Sequence, residues 1–240
     1  MKFFLIVGIL LVMSLGYGEE KQTRVSKIYA IGKTSEEPLF VQTTELQNST
    51  SGSFTSNAKI EDPSGKLIMT EKVIVKDELL VSQYVEQLQS QEAWDLSVKD
   101  GYATFKTFKL SEGRSSPQGN GKSEKLEKSF INGPLIEMFI NKNWEKLVSG
   151  DTASTAFSVL ELERSVNFKL QKVKMSERRG RPVLVIKMKP ANFLISVLVD
   201  PILLEFDSST RKLVYFKGRT PLKVREGEKL KPLDAEIFYE

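Results

Sequence analysis

Apolar and polar residues alternate along most of this chain, and a period of two residues indicates β-strands with one buried face. After the turn Asp62-Pro63-Ser64-Gly65, for example, Leu67, Met69, Val73 and Val75 occupy a strand-like pattern. A slip of phase near Gln171-Lys172 predicts a β-bulge. The strands predicted in this way cover residues 24–31, 39–46, 67–75, 94–108, 157–159, 166–175, 183–188, 202–206, 212–217 and 233–239.

The strongest hairpin prediction centres on Asp100-Gly101, a residue pair that a two-residue type I′ turn prefers. That turn places Val98 opposite Ala103 and Leu96 opposite Phe105. Four apolar side chains would then share one face of the hairpin, so the turn and the hydrophobic pattern agree.

One segment has the period of a helix. The pattern predicts a helix over 134–149, with Pro134 in its first turn and Gly150 just beyond its end. Two glutamates balance two lysines on its polar side, which favours packing on a sheet over lying in a membrane interface. Its apolar face consists of Leu135, Ile136, Phe139, Ile140, Trp144, Leu147 and Val148.

Three segments have a weaker pattern. Residues 79–91 fit a helix by spacing and a strand by residue type, and the neighbouring hairpins favour a strand. Residues 47–57 are rich in serine and threonine and are predicted as a loop. Residues 111–128 are polar and rich in glycine, serine and lysine, so they are predicted as a mobile linker before the helix.

A charge-free apolar run covers residues 193–199. A helix beginning at Pro190 would be apolar almost all round, so it would be buried or would cover something apolar. This run and the helix over 134–149 either fill the core or line a pocket for an acyl chain. The candidate ligand-binding residues are Phe139, Ile140, Trp144, Phe193, Leu194, Val197 and Leu198.

Residues 1–18 have the pattern of a secretory signal peptide, namely Lys2, an apolar run and small residues before Glu19. The remainder, 19–240, is expected to form a single β-rich domain. No second apolar stretch is long enough to span a bilayer. We therefore expect an exported protein, located in a periplasm or secreted.

The composition argues against most enzymes. The chain has no histidine and no cysteine, which excludes Ser-His-Asp and Cys-His sites, histidine-containing zinc sites and disulfides. Neither a metal nor a cofactor is expected. The formal charge of +4 is spread among interspersed acids and bases, which gives little reason to propose nucleic acid. A Ser–Lys site is also possible, but no Ser-x-x-Lys has a convincing context. The remaining catalytic alternative is a glycan hydrolase that uses Asp200, Glu205 and Asp207.

The turn at residues 176–181 is basic. Such a turn either meets an anionic lipid head group or glycan, or forms a solvated hairpin tip. So short a run of charge favours the solvated tip.

Several motifs resemble a bacterial family of exported proteins of unknown function. They are Asp62-Pro63-Ser64-Gly65-Lys66, Phe139 to Gly150, Lys189 to Phe193 and Val199-Asp200-Pro201-Ile202. The resemblance covers most of the chain after the signal peptide and implies a Gram-negative envelope setting. It brings no catalytic or binding residues. A looser similarity of fold is to periplasmic lipoprotein carriers, whose curled sheets hold lipid under helices.

These observations predict a mainly β fold, an antiparallel sheet that is curled or closed like a barrel, with one or two helices packed on it. The favoured function is non-enzymatic binding of a hydrophobic or amphipathic, lipid-like ligand. The alternative is an envelope structural or interaction protein that holds a protein partner.

Overall fold

The computed structural model describes residues 20–50, 52–111, 114–126, 129–192 and 200–240, and most of them lie in β-strands. The predicted signal peptide and residues 193–199 lie outside the described residues. The strands are β1 (Glu20–Ala30), β2 (Phe40–Thr50), β3 (Ser53–Glu61), β4 (Leu67–Lys76), β5 (Leu79–Gln87), β6 (Glu92–Lys99), β7 (Tyr102–Ser111), β8 (Arg114–Pro117), β9 (Lys122–Lys125), β10 (Phe130–Ile131), β11 (Ala153–Val159), β12 (Arg164–Arg178), β13 (Arg181–Pro190), β14 (Ile202–Asp207), β15 (Leu213–Glu226) and β16 (Lys229–Tyr239).

The strands form one 16-stranded sheet within the described part of the chain. Neighbours in the sheet are mostly neighbours in sequence, as expected when antiparallel strands are joined by short turns. The exception that organises the sheet is the pairing of β16 with β1, which joins the last strand to the first. The mainly β, antiparallel fold predicted from the sequence is confirmed.

The sheet is curled but is not closed by backbone pairing, because its path ends at β10 and at β8. Side chains connect the two ends instead. Thr107 in β7 donates to Glu163 beyond β11 at 2.7 Å, and Glu124 in β9 accepts from the backbone N–H of Ser165 in β12 at 2.9 Å. The fold is therefore barrel-like, with a concave inner face.

Two short helices lie against the inner face, α1 (Ile136–Lys142) and α2 (Trp144–Val148). The prediction of one helix over 134–149 is therefore wrong in its bounds and its continuity. Asn143 has non-helical backbone angles, and its side-chain amide donates to the Phe139 carbonyl at 2.9 Å. An asparagine that bonds to a helix carbonyl offers an alternative to continuing the helix. Pro134 lies in the turn that precedes α1.

Both helices contribute to a single buried apolar cluster with residues from most strands. Ile140 of α1 and Leu147 of α2 are completely buried, as are Ile28 of β1 and Val73 of β4. The core therefore lies between the inner face of the sheet and the helices. No helix among the described residues is long and apolar enough to cross a membrane.

Three local predictions are confirmed. Leu96 pairs with Phe105 and Val98 with Ala103, and the turn residues Asp100-Gly101 both have positive φ, at 50° and 78°. Residues 79–87 form a strand, in agreement with the residue types rather than the helical spacing. The β12–β13 register shifts between Lys172 and Lys174, at the expected bulge.

Two loop predictions are wrong. Residues 47–50 and 53–57 belong to the hairpin of β2 and β3, because their threonines suit a pleated strand and Gly52 turns the chain at φ 79°. The predicted linker 111–128 contains β8 and β9, which both pair with β7. Short polar strands are common at a sheet edge. A Cβ on Gly121 would lie 2.6 Å from the Phe105 carbonyl oxygen, so glycine permits that close approach.

Candidate functional site

The structure buries the three candidate ligand-binding residues that it describes. Phe139, Ile140 and Trp144 are exposed by 8%, 0% and 6%, and all three belong to the apolar cluster. Their role as ligand contacts stays a prediction, because a core position and a pocket wall have the same residue types. The other candidates, Phe193, Leu194, Val197 and Leu198, lie outside the described residues.

A group of polar side chains interrupts this apolar inner face. Glu71 lies between Met69 and Val73 on the side of β4 that faces the core. Arg24 occupies the same face of β1 as Ser26 and Ile28, which are buried. We call the group the inner polar cluster, and it consists of Arg24, Glu71, Gln83, Glu137 and Tyr239.

Arg24 joins three elements of the fold. Its Nη1 donates to Glu137 Oε1 of α1 at 2.6 Å, and its Nη2 donates to the carbonyl oxygen of Leu213 in β15. Glu137 Oε1 also accepts from the Leu213 N–H at 2.9 Å. The guanidinium carbon lies 4.5 Å from the centre of the Tyr239 ring. Glu137 and Tyr239 thus fix Arg24 from two sides, one by charge and one by a cation–π contact.

Glu71 has a different environment from Glu137. Its Oε1 accepts from Gln83 Nε2 at 2.7 Å, and the Gln83 carbonyl oxygen accepts from Ser158 Oγ at 3.3 Å. No lysine or arginine of the described residues forms an ion pair with Glu71. Burial raises the pKa of the Glu71 carboxyl, and the bond from Gln83 opposes that rise.

Tyr239 completes the cluster. Burial raises the pKa of its hydroxyl to about 12; the charge of Arg24 lowers this pKa, and those of Glu137 and Glu71 raise it. Glu71 and Tyr239 are therefore within electrostatic reach of one another. Among the described residues, no hydrogen-bond partner contacts the Tyr239 hydroxyl.

Three side chains of the inner polar cluster keep part of their surface accessible to solvent. Arg24, Glu71 and Tyr239 are only partly buried, although they project from the inner face and are surrounded by buried neighbours such as Ala58 and Ile237. A side chain on the inner face keeps solvent contact only where a recess reaches it. From this partial exposure we infer a polar recess beside the inner polar cluster in an otherwise apolar face, a combination found in ligand sites.

The sequence indicates that Glu71 faces the core, although the strand predictions did not use this. Position 71 continues the alternation of Met69 and Val73, so a strand period of two places this glutamate on the buried face. An ionisable residue at such a position is unusual and indicates a special environment. The contact between Arg24 and Glu137 had no such signal, because 113 positions separate the two residues.

Two of the three carboxylates of the hydrolase alternative, Glu205 and Asp207, have structural partners, and the third, Asp200, is exposed. Glu205 accepts two hydrogen bonds from Arg178 at 2.5 and 2.8 Å. Asp207 accepts from the backbone N–H groups of Ser209 and Thr210, both at 2.8 Å, and so shapes a turn. Among the described residues, no three carboxylates gather in a group that could hold a metal ion.

Comparison with known proteins adds a likeness of fold. No family model matches the chain, and no curated protein matches it. A solved structure, the crystal structure of a β-barrel-like protein of domain of unknown function DUF1849 from Brucella abortus, aligns over 92% of this chain and 94% of that chain. The sequence identity is 10% and the TM-score is 0.42. The chain is thus similar to a β-barrel-like protein of an uncharacterised family.

Proposed function

We propose that this protein is an exported, non-enzymatic protein of the Gram-negative periplasm that binds an amphipathic, lipid-like ligand within its curled sheet. The observation that carries the proposal is Glu71, a partly exposed carboxyl on the apolar inner face with no cationic partner among the described residues. A carboxyl in such a place costs stability, and a group retained at such a cost is a candidate for a function.

The two parts of the site suit the two parts of the ligand. Apolar side chains flank Glu71 on its own strand and on β5, where Val85 is its cross-strand neighbour. They supply an apolar wall for a hydrocarbon chain. Glu71 and the Tyr239 hydroxyl supply polar contacts for a head group that donates hydrogen bonds or carries positive charge.

Export and the absence of catalysis rest on the sequence. The apolar run after Lys2 supports export. The lack of histidine and cysteine removes the commonest general bases and nucleophiles, which supports a binding role.

The second candidate function is an interaction protein of the envelope. Val173 and Met175 are 49% and 48% exposed and lie two positions apart on β12. Two neighbouring exposed apolar side chains favour contact with a protein partner.

The test is native mass spectrometry of the protein purified from periplasm, with organic extraction of the same sample. Thr44 lies on the inner face, opposite Arg24 and Ala58, whereas Thr43 faces outward on the same strand. Thr44→Trp fills the recess, and Thr43→Trp is the matched control. We expect a lipid-sized mass on the wild type and on Thr43→Trp, and its loss from Thr44→Trp.

Two results would overturn the proposal. A bare wild-type mass that also fails to take up the apolar probe phenylnaphthylamine would favour the interaction protein. Equal retention of ligand by both tryptophan variants would place any ligand outside the recess. Far-UV circular dichroism and thermal unfolding of both variants show whether a loss of ligand is a loss of fold.

A further inference from the structure

A second polar group lies on the outer face of the sheet, at the tip of the β12–β13 hairpin. Arg178 folds back onto the sheet, where its Nε and Nη2 donate to the two oxygens of Glu205 at 2.5 and 2.8 Å. Its guanidinium carbon lies 3.8 Å from the centre of the Tyr215 ring. The favoured prediction of a solvated hairpin tip is therefore wrong for Arg178, because a carboxylate and an aromatic ring hold it.

Aromatic rings form the floor beside this arginine. The Phe238 ring centre lies 5.1 Å from that of Tyr215 and 5.7 Å from that of Tyr29. The Tyr215 hydroxyl donates to Glu236 Oε1 at 2.7 Å, which fixes the ring in place. Burial, with the Glu236 bond, raises the pKa of Tyr215 well above its ordinary range, so this phenol stays neutral at physiological pH.

An open cleft of about 320 Å³ lies between the hairpin tip and these aromatic rings. We call it the outer cleft, and it is lined by Lys27, Tyr29, Thr34, Arg178, Arg179, Phe238 and Glu240. The lining combines three cationic groups and one carboxylate with ring faces. The cleft lies on the opposite face of the sheet from the inner polar cluster, because Lys27 and Tyr29 alternate with the buried Ser26 and Ile28.

The charges of the outer cleft leave one cation without a counterion. Arg178 pairs with Glu205, and Lys27 pairs with Glu240 at 2.8 Å. Arg179 lies 5.5 Å from the Phe238 ring centre and forms no ion pair with a carboxylate of the described residues. The hydrogen bond and the charge of Glu240 raise the pKa of Lys27, and the positive charge of Arg179 lowers it. Arg179 and Lys27 are therefore close enough to interact electrostatically.

Donors remain available for a ligand. Arg178 uses Nε and Nη2 for Glu205, so its Nη1 has no partner among the described residues. A guanidinium fixed by a carboxylate and a ring is pre-organised, and guanidinium groups bind carboxylate and phosphate oxygens in matched pairs of hydrogen bonds. The outer cleft thus presents two guanidinium groups beside an aromatic face.

We propose that the outer cleft binds a singly charged oxyanion, a carboxylate or a phosphodiester, whose attached ring packs against Phe238. One uncompensated positive charge matches one negative charge. The oxyanion lies between Arg179 and the Nη1 side of Arg178, and the ring face of Phe238 selects ligands with a planar or sugar group beside the charge. This site is independent of the ligand proposed for the inner face.

The test is isothermal titration calorimetry with benzoate and with bis(4-nitrophenyl) phosphate, and sedimentation with vesicles of phosphatidylinositol or phosphatidylcholine. Arg179→Met removes the uncompensated charge. Arg181→Met is the matched control, since it makes the same change in the same turn but outside the cleft lining. We expect Arg179→Met to weaken binding by about tenfold or more, and Arg181→Met by less than about twofold.

The outcomes separate the sources of the oxyanion. Binding to the soluble probes indicates a free ligand, and binding only to phosphatidylinositol vesicles indicates a lipid head group. The proposal is wrong if the wild type binds no probe, or if both arginine variants weaken binding equally, which would show only a general charge effect. Thr44→Trp is expected to leave this binding unchanged, so failure here is distinct from failure of the inner site.

Discussion

Two groups of the same composition lie on opposite faces of the sheet. In each group an arginine forms an ion pair with a glutamate and packs over a tyrosine ring. The inner group consists of Arg24, Glu137 and Tyr239, and the outer group consists of Arg178, Glu205 and Tyr215.

The groups differ in the charge that remains beside them. The inner group has an additional carboxyl, Glu71, with no cationic partner among the described residues. The outer group has an additional guanidinium, Arg179, with no carboxylate partner among them. An ion pair fixes each arginine, and in the two proposals above the unmatched neighbour sets the sign of the ligand charge that each face would attract. We therefore expect hydrogen-bond donors or cations at the inner face and anions at the outer face.

The largest expected effect concerns the apolar side chains that pack near each group. Ile140 of α1 is completely buried, so Ile140→Ala leaves a cavity and should reduce the free energy of unfolding by about 3 kcal/mol. Phe238→Ala removes an only partly buried ring and its aromatic contacts, and should cost about 1.5 kcal/mol. Urea denaturation measures both. Equal losses would show that the outer group belongs to the core as much as the inner group does.

The next effect concerns the two ion pairs. Arg24→Met leaves Glu137 without its charged partner and should reduce the free energy of unfolding by about 2 kcal/mol. The loss is smaller than for a fully buried pair, because the two side chains are 25% and 31% exposed. Arg178→Met should cost as much, about 2 kcal/mol, because Glu205 is only 14% exposed and loses two hydrogen bonds. Chemical denaturation of the two variants, each compared with the wild type, measures both losses. A loss below about 0.5 kcal/mol for either variant would show that its ion pair is screened by solvent like an ordinary surface pair.

Local patterns in the sequence predicted most of the strands, the Asp100-Gly101 turn and the bulge near Lys172, because each depends on neighbours in sequence. The same rule of alternation shows that Glu71 faces inward, so part of the inner polar cluster was also predictable. The helix break at Asn143 was not, because it depends on whether one side chain bonds to a carbonyl or to water.

Contacts between distant residues account for the rest. The pairing of β16 with β1 and the contact of Arg24 with Glu137 depend on how the whole sheet curls. The outer cleft likewise depends on Arg178 reaching Glu205 and Tyr215 from the preceding hairpin. In the sequence, the basic turn at 176–181 gives no indication that one of its arginines is held by a ring and a carboxylate.

A smaller effect distinguishes the two tyrosines. Tyr215→Phe removes a hydrogen bond to the Glu236 carboxylate and should cost about 1.5 kcal/mol. Tyr239→Phe removes a hydroxyl without a partner among the described residues and should change stability by less than about 0.5 kcal/mol. Thermal unfolding at neutral pH measures both. If Tyr239→Phe is as destabilising as Tyr215→Phe, its hydroxyl has a structural role and is not available to a ligand.

The final prediction compares one glutamate from each face by its response to pH. Burial raises the pKa of Glu71 above its ordinary 4.5, so the folded state holds the proton more tightly than the unfolded state does. Between those two pKa values the stability of the wild type falls as pH rises. Glu71→Gln removes this loss, so the variant should be more stable than the wild type at pH 7, with the difference vanishing as the pH falls towards 4.5.

Glu236, beside the outer cleft, should show the opposite sign. Burial raises its pKa, but the Tyr215 hydroxyl, the Gly32 N–H and Lys217 outweigh burial, and the pKa is lowered overall. Its contribution to stability is therefore present above 4.5 and is lost as the pH falls through the folded pKa. Glu236→Gln should be less stable than the wild type at pH 7, and the gap should close in acid. Denaturation of both variants from pH 3 to 8 measures the two slopes. If the stability differences of the two variants change with pH in the same direction, the inner and outer carboxyls have the same kind of environment. Glu71 would then not be a special group that could bind a ligand.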